Sequence, residues 1–267
     1  MKHPAQTGED PHGRRKNEKR MKKLWKALLI VVIILLAAFL TVFALAKAKI
    51  ILLNRWFVDE KRSTIGVDLS AYQADVDMGA LKAQGVAFAY IKATEGSSHQ
   101  DKRFPENWKN AAEAGLLSGA YHFFSYDSPG ATQAENYIGA VGEDLTGKLL
   151  PAVVVDYYGD KEKNPPLKED VVRELSVFID ALETQYGVKP MIYTRSDIYE
   201  KYLEGTFDSH PYWISSLYTP LKWNYHGDWY LWHYLNRGIL EGYEGGEKYI
   251  DLDVLNEEKT LDELIVK

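Results

Sequence analysis

Four carboxylates recur at the same point of a repeating pattern. Asp68 closes the β-rich run TIGVD (64–68), Glu95 follows AFAYIKA (87–93), Asp156 closes LPAVVVD (150–156), and Asp251 lies in YIDLDVL (249–255). A single Asp at the end of a strand is usually a turn former or a helix cap. Four of them on strands of one barrel would converge at its C-terminal mouth, where barrels of this type carry their chemistry. Carboxylates held close together raise one another's proton affinity, which keeps one protonated as a general acid near neutral pH.

Other chemistries find less support. The chain has no cysteine, so disulfide frameworks and thiolate nucleophiles are excluded. No G-x-S-x-G elbow, G-x-G-x-x-G turn or Walker sequence occurs, and the seven histidines are dispersed rather than set at metal-ligand spacing. No metal and no cofactor are expected. His122 and His233 sit inside aromatic strand runs, where a core or groove-lining place is the ordinary one for an imidazole. Aromatic content is 13%, with 18 Tyr and 7 Trp. Such side chains mostly fill cores, and they also pave sugar-binding grooves, stacking on ring faces while their polar tips bond hydroxyls.

The elements that must position the carboxylates alternate in type. Beside the four runs above, GAYHFF (119–124), PMIYT (190–194), YWISS (212–216) and WYLWHYL (229–235) read as strands. Helical periodicity covers 76–84, 105–114 and 132–141, and most clearly 168–186, where Val171, Leu175, Phe178, Ile179 and Leu182 share one face. Pro165-Pro166 and Gly187 bracket that helix. Strand–helix alternation predicts a parallel sheet, and eight strands in about 200 residues predict an irregular, TIM-like (β/α) barrel over 64–267. Its later strands are joined by connections too short for full helices.

Upstream, residues 27–46 form a twenty-residue run without a charge. At about 1.5 Å per residue it spans the ~30 Å hydrocarbon core of a bilayer. Residues 1–26 carry nine Lys/Arg against three acids, a basic tail that the positive-inside bias places in the cytoplasm. The rival reading is a secretory signal ending at Ala44-Leu45-Ala46. The run exceeds the about 7–15 residues of a secretory apolar region, which favours an uncleaved anchor. Residues 47–63 then read as a stalk outside the membrane. With 23 Lys/Arg against 35 Asp/Glu, the remaining 241 residues are acidic by 12 charges, which argues against a nucleic-acid partner for the body.

The run 66–96 resembles the opening of glycoside hydrolase family 25, the Chalaropsis-type lysozymes. GAYHFF (119–124), LPAVVVDYYGD (150–160), KPMIYT (189–194), YWIS (212–215), WHYLNRG (232–238) and YIDLDV (249–254) follow in that family's order. The resemblance implies an N-acetylmuramidase that cuts the β-1,4 bond between N-acetylmuramic acid and N-acetylglucosamine in peptidoglycan, without metal or cofactor. It places Asp68, Asp156 and Asp251 in the catalytic set. It assigns Glu95, Tyr121, Tyr193, Trp213 and Trp232 to the sugar groove.

The chain departs from that family at its central D-x-E motif, which the family reaches as P-x-x-D-x-E. Counted from Pro151, the motif positions are Val154 and Asp156. The other register would make Tyr158 the Glu equivalent at the cost of two extra strand residues. Strand alternation sets 154, 156 and 158 on one face. Asp is one methylene shorter than Glu, and a misplacement of ~1 Å in an active site costs about 10²-fold. Three functions are therefore in play: a peptidoglycan hydrolase, an impaired membrane-tethered wall-binding module, and a glycosidase with a rebuilt acid–base pair.

Overall fold

A computed structural model describes residues 11–47 and 53–267. The parts of the expected tail and stalk that fall on 1–10 and 48–52 lie outside the described residues. The chain divides into two units at Leu52/Leu53.

In the first unit Pro11–Lys47 is one α-helix, α1. Its segment Lys19–Leu45 contains an 18-residue window with a mean hydropathy of 3.3 and is long and apolar enough to cross a membrane. The only hydroxyl in the charge-free run, on Thr41, donates back to the Ala37 carbonyl at 2.9 Å, so it presents no free donor.

The second unit is a closed barrel of eight strands: β1 (Ile65–Leu69), β2 (Val86–Glu95), β4 (Leu117–Phe123), β5 (Ala152–Val155), β6 (Met191–Arg195), β7 (Tyr212–Ser215), β8 (Leu231–Gly238) and β9 (Ile250–Leu255). A two-residue strand, β3 (His99–Gln100), folds back on β2. Helices α2 (Met78–Ala83), α3 (Phe104–Glu113), α4 (Gly130–Val141) and α5 (Lys168–Tyr186) cover the first half of the wall. The chain leaves α5 through Gly187 in the left-handed conformation that favours glycine.

The sheet is not wholly parallel. β9 runs antiparallel to both β1 and β8 while all the other barrel pairings are parallel. The cause is the connection: β8 ends at Gly238 and β9 begins at Ile250, with no helix between them. A parallel return needs a crossover of about a dozen residues or more, usually helical.

Aromatic rings fill the barrel interior, and glycine makes room for them. A Cβ on Gly66 would lie 2.1 Å from the Phe88 ring, and one on Gly119 would lie 2.4 Å from the Tyr90 ring. Phe88, Tyr90, Tyr121, Val154, Met191, Trp213, Leu231 and Leu255 form the interior cluster. Leu149, Leu150, Leu264 and Val266 seal the floor, tied by Leu150 N–H to the Leu264 carbonyl (2.8 Å) and Val266 N–H to the Lys148 carbonyl (2.9 Å).

The expected stalk is corrected over 53–63, because that stretch packs on the barrel. Asn54 is 1% exposed, and its amide donates to the carbonyls of Ser216 (2.6 Å) and Tyr234 (3.0 Å). The Tyr234 hydroxyl donates to Glu60 at 3.1 Å, and Val58 is buried. No α-helix follows β7 or β8, only a single 3-10 turn at Leu221–Trp223, so Trp232 and Tyr234 on the outer wall would be left largely open to water without this cover.

Candidate active site

The barrel mouth holds a pocket of about 150 Å³ lined by Asp68, Tyr121, Phe123, Val154, Asp156, Tyr193 and Trp213. Each strand contributes by its alternation. Gly66 and Asp68 point inward on β1, Ala152 and Val154 on β5, and Asp156 continues that face one residue beyond the strand's end. Tyr158 does not follow. β5 stops at Val155, the chain turns, and the Tyr158 hydroxyl donates to Asp127 (2.8 Å) while its ring stacks on Tyr126. The ungapped register, with Val154 and Asp156 at the motif positions, is the one whose side chains reach the pocket.

Asp156 is three-quarters shielded, with a side-chain exposure of 24%. Burial raises its proton affinity, and the Arg195 guanidinium 3.4 Å away opposes this without reversing it. Its Oδ1 accepts the Tyr157 N–H at 2.7 Å. Arg195 also pairs with Asp197 at 2.9 Å and Glu162 at 3.3 Å, so its charge is divided among three acids. A carboxyl with raised proton affinity beside a sugar-sized opening is suited to protonate a leaving oxygen. Arg195 was not singled out in the sequence because its acid partner lies 39 positions away, and only the β5–β6 pairing joins them.

Beneath the pocket lies a second group. Asp68 and Asp251 are paired across β1 and β9, and Asp251 is more open, at 37% side-chain exposure. Asp253, two residues on and therefore on the same inward face, is fully buried and accepts the Trp213 indole N–H at 2.8 Å. Burial holds the Asp68 and Asp253 carboxyls well above the usual carboxylate range. Asp251 and Asp253 add to this at Asp68, whereas at Asp253 the Trp213 bond works against it. Asp253 is a site residue beyond those expected from the sequence, and the alternation D-L-D is the signal that brings it in with Asp251. His233 reaches the same group from β8: its Nδ1 is 2.9 Å from the Tyr193 hydroxyl and its Nε2 is 3.6 Å from Asp251. Donor atoms of Asp68, His233 and Asp253 lie within 4.8 Å of one another. The group already contains an imidazole able to balance its carboxylates, and we assign it no metal.

Two expected groove residues lie elsewhere. Trp232 points to the outer wall, donates to the Ser216 carbonyl at 3.0 Å, and lines an apolar cavity of about 240 Å³ with Phe57, Val58 and Leu221. Alternation explains this, since Leu231 and His233 take the inward positions. Glu95 stays outside the pocket lining, at the end of β2, where it accepts from Lys92 at 2.6 Å and is 42% exposed.

The sequence profile of glycosyl hydrolases family 25 matches residues 67–243. The protein YegX of Escherichia coli K12 is 32% identical over 197 residues, which is 72% of this chain and 69% of that protein. Lysozyme M1 of Streptomyces globisporus is 27% identical over 194 residues, covering 67% of this chain and 64% of its own length. Among solved structures, a family 25 glycosyl hydrolase from Bacillus anthracis superposes with a TM-score of 0.69 at 44% identity, covering 77% of this chain and 94% of that one.

Proposed function

The chain belongs to glycosyl hydrolases family 25 and is a glycoside hydrolase, and from that premise we propose that it cleaves the β-1,4 bond between N-acetylmuramic acid and N-acetylglucosamine in peptidoglycan. The observation that carries this reading is Asp156, a shielded carboxyl with raised proton affinity in one pocket with Asp68. Asp156 donates its proton to the glycosidic oxygen as the C1–O bond breaks. The Asp251 carboxylate, backed by the Asp68 and Asp253 carboxyls, faces the positive charge that develops at C1. Water then supplies hydroxide to C1 and returns a proton to Asp156. Tyr121, Tyr193 and Trp213 form the wall against which the sugar ring rests. In this reading α1 anchors the enzyme with its N-terminus inside and the barrel on the wall side of the membrane.

A second reading rests on Val154. Its side chain lines the pocket where the family has an acidic acceptor, and a hydrogen bond from a charged group is worth about 1.5–3 kcal/mol. A membrane-tethered wall-binding module with little turnover would look the same. Clearing of purified cell walls by the full-length protein in detergent separates the two. Lysis that disappears in Asp156→Asn supports the hydrolase, and binding without lysis supports the module. Reducing-end analysis of the fragments identifies the bond: an end other than N-acetylmuramic acid would reject the muramidase assignment and favour a rebuilt acid–base pair.

A further inference from the structure

His233 occupies an unusual place for an imidazole. It is 5% exposed, its backbone pairs with Ser215 of β7 and Asp253 of β9, and its ring faces the barrel interior. Four titratable groups surround the ring: Tyr193 from β6, Asp68 from β1, and Asp251 and Asp253 from β9. His233 Nε2 is sealed from solvent with no partner at hydrogen-bond distance, and the buried Asp68 Oδ2 and Asp253 Oδ2 have only each other's carboxyl with which to share a proton. Buried polar atoms left open in this way mark places where protons have still to be assigned or a ligand has still to arrive.

The three protonation states of the ring differ in what they do to Tyr193. A proton on Nδ1 alone turns the bare Nε2 lone pair toward the Asp251 carboxylate, which repels it. A proton on Nε2 alone leaves Nδ1 as an acceptor, so the Tyr193 hydroxyl must spend its own proton on the ring. With both nitrogens protonated, Nε2 faces Asp251 as a cation at ion-pair distance, and Nδ1–H donates to the Tyr193 oxygen. The Tyr193 proton is then released from the ring and, with the Ser215 hydroxyl as the other neighbour of the Tyr193 oxygen, can turn to the pocket that this residue lines.

We propose that His233 is a positioning residue, held as an imidazolium between Asp251 and Tyr193, whose proton makes the Tyr193 hydroxyl a hydrogen-bond donor toward the bound sugar. The inference rests on the muramidase reading for its substrate, a 2-acetamido sugar whose amide carbonyl is its strongest neutral acceptor. Loss of the imidazolium proton reverses the bond: Tyr193 donates to Nδ1 and presents the sugar with lone pairs only. Burial opposes charging of His233, but Asp251 and then Asp68 outweigh it and lift its proton affinity above the ordinary histidine value. The protein therefore keeps the donor form to higher pH than an ordinary histidine would, and loses it as pH rises further.

The test uses the full-length protein in detergent. Long-range ¹H–¹⁵N spectra, with the His233 signals identified by their absence in His233→Gln, read the ring directly. Both nitrogens should carry protons at pH 6, with a transition above the ordinary value of about 6.5. A neutral ring at pH 6.5 would overturn the proposal. This arm needs no turnover, so it decides the imidazolium even if wall lysis is never seen. In the kinetic arm, lysis by the native protein should fall on the alkaline side through that same transition. His233→Gln, whose amide donates at every pH, should be slower but lose that alkaline limb. His233→Phe, with no donor, should fall by about tenfold further, the size of one neutral hydrogen bond. A His233→Gln variant with an unchanged pH profile would show a packing role only and sink the idea.

Discussion

The barrel wall carries one buried histidine on each face, and the two are opposites. His122 points outward from β4 into the helix layer, where its Nδ1 accepts from the Thr94 hydroxyl at 2.7 Å and its Nε2 meets Gln133 Oε1 at 3.0 Å. Gln133 in turn donates to the carbonyls of Ser125 and Ser128, and the imidazole stacks on Phe178 at 4.8 Å. Every polar atom of that network is used, and burial holds His122 neutral, with its pKa down at about 4. His233, on the inner face, stands among carboxylates whose oxygens are partly unused. Both rings are shut away from water, so burial alone decides neither state. Neighbours do: a closed network stabilises structure, while an open one holds charge in reserve for a ligand.

Variants on the inner face should therefore move activity, and variants on the outer face should move stability. The largest effect belongs to Asp156→Asn. The amide is nearly isosteric but donates no acid proton, so the initial rate of wall lysis should drop by about 10³-fold, within the range of general acid catalysis. The melting temperature should stay within about 2 °C. A large fall in melting temperature would mean that the inner face is structural as well.

The outer face is tested by pH. The folded pKa of His122, about 4, lies below the unfolded value of about 6.5, so between those values the unfolded chain binds the extra proton. Stability is then full above pH 6.5 and falls as pH drops toward 4, by about 3 kcal/mol for this one group. Denaturant unfolding at pH 7 and pH 5, compared with His122→Gln, should show the slope mainly in the native protein. An equal slope in both would assign the acid sensitivity to other groups.

A smaller change is expected on restoring the motif. Val154→Asp with Asp156→Glu should raise the lysis rate about tenfold, and by more than the single variants combined, because the two groups act as one unit. The new buried Asp lacks prepared partners, which costs about 1–3 kcal/mol of stability. A folded double variant no faster than native would point to a rebuilt acid–base pair. The smallest effect is that of Asn54→Ala on the outer wall. It removes a donor from the Tyr234 carbonyl and one of the two donors to the Ser216 carbonyl, which keeps Trp232, and should cost about 1 kcal/mol in denaturant unfolding, with wall lysis little changed. A tenfold loss of lysis would tie the 53–63 segment to the chemistry.

Much of this architecture is legible in the chain. All eight barrel strands fall where β-rich alternation places them, and α5 runs from Lys168 to Tyr186 as its apolar stripe predicts. Period-two alternation also groups Asp68, Tyr121, Asp156, Tyr193 and Trp213 around one opening. What escaped the sequence has physical causes. A strand reads the same in either direction, so YIDLDVL does not disclose that it runs antiparallel. WYLWHYL is aromatic on both faces, so its pattern does not say that Trp232 turns outward and His233 inward. Arg195 looks like a strand-end surface charge until β5 and β6 set it beside Asp156. The 53–63 segment is mixed and partly charged, which is how a solvated stalk reads as well. Only the bare outer wall of β8 explains why it docks.

The reversed direction of β9 bears on when the enzyme becomes competent. β1 emerges early in synthesis and finds β2 within a few tens of residues, yet its other edge waits for a partner that is made last. Asp68 meets Asp251 and Asp253 only after more than 180 intervening residues have been laid down, and such distant pairings form slowly. The remainder of the chain then runs down to the floor, where Leu264 and Val266 close the barrel behind it. A polypeptide interrupted before β9 thus has the rings of the pocket, Asp68 and Asp156, but not the Asp251 and Asp253 that stand beside Asp68, so the carboxyl group of the site is completed by the last strand.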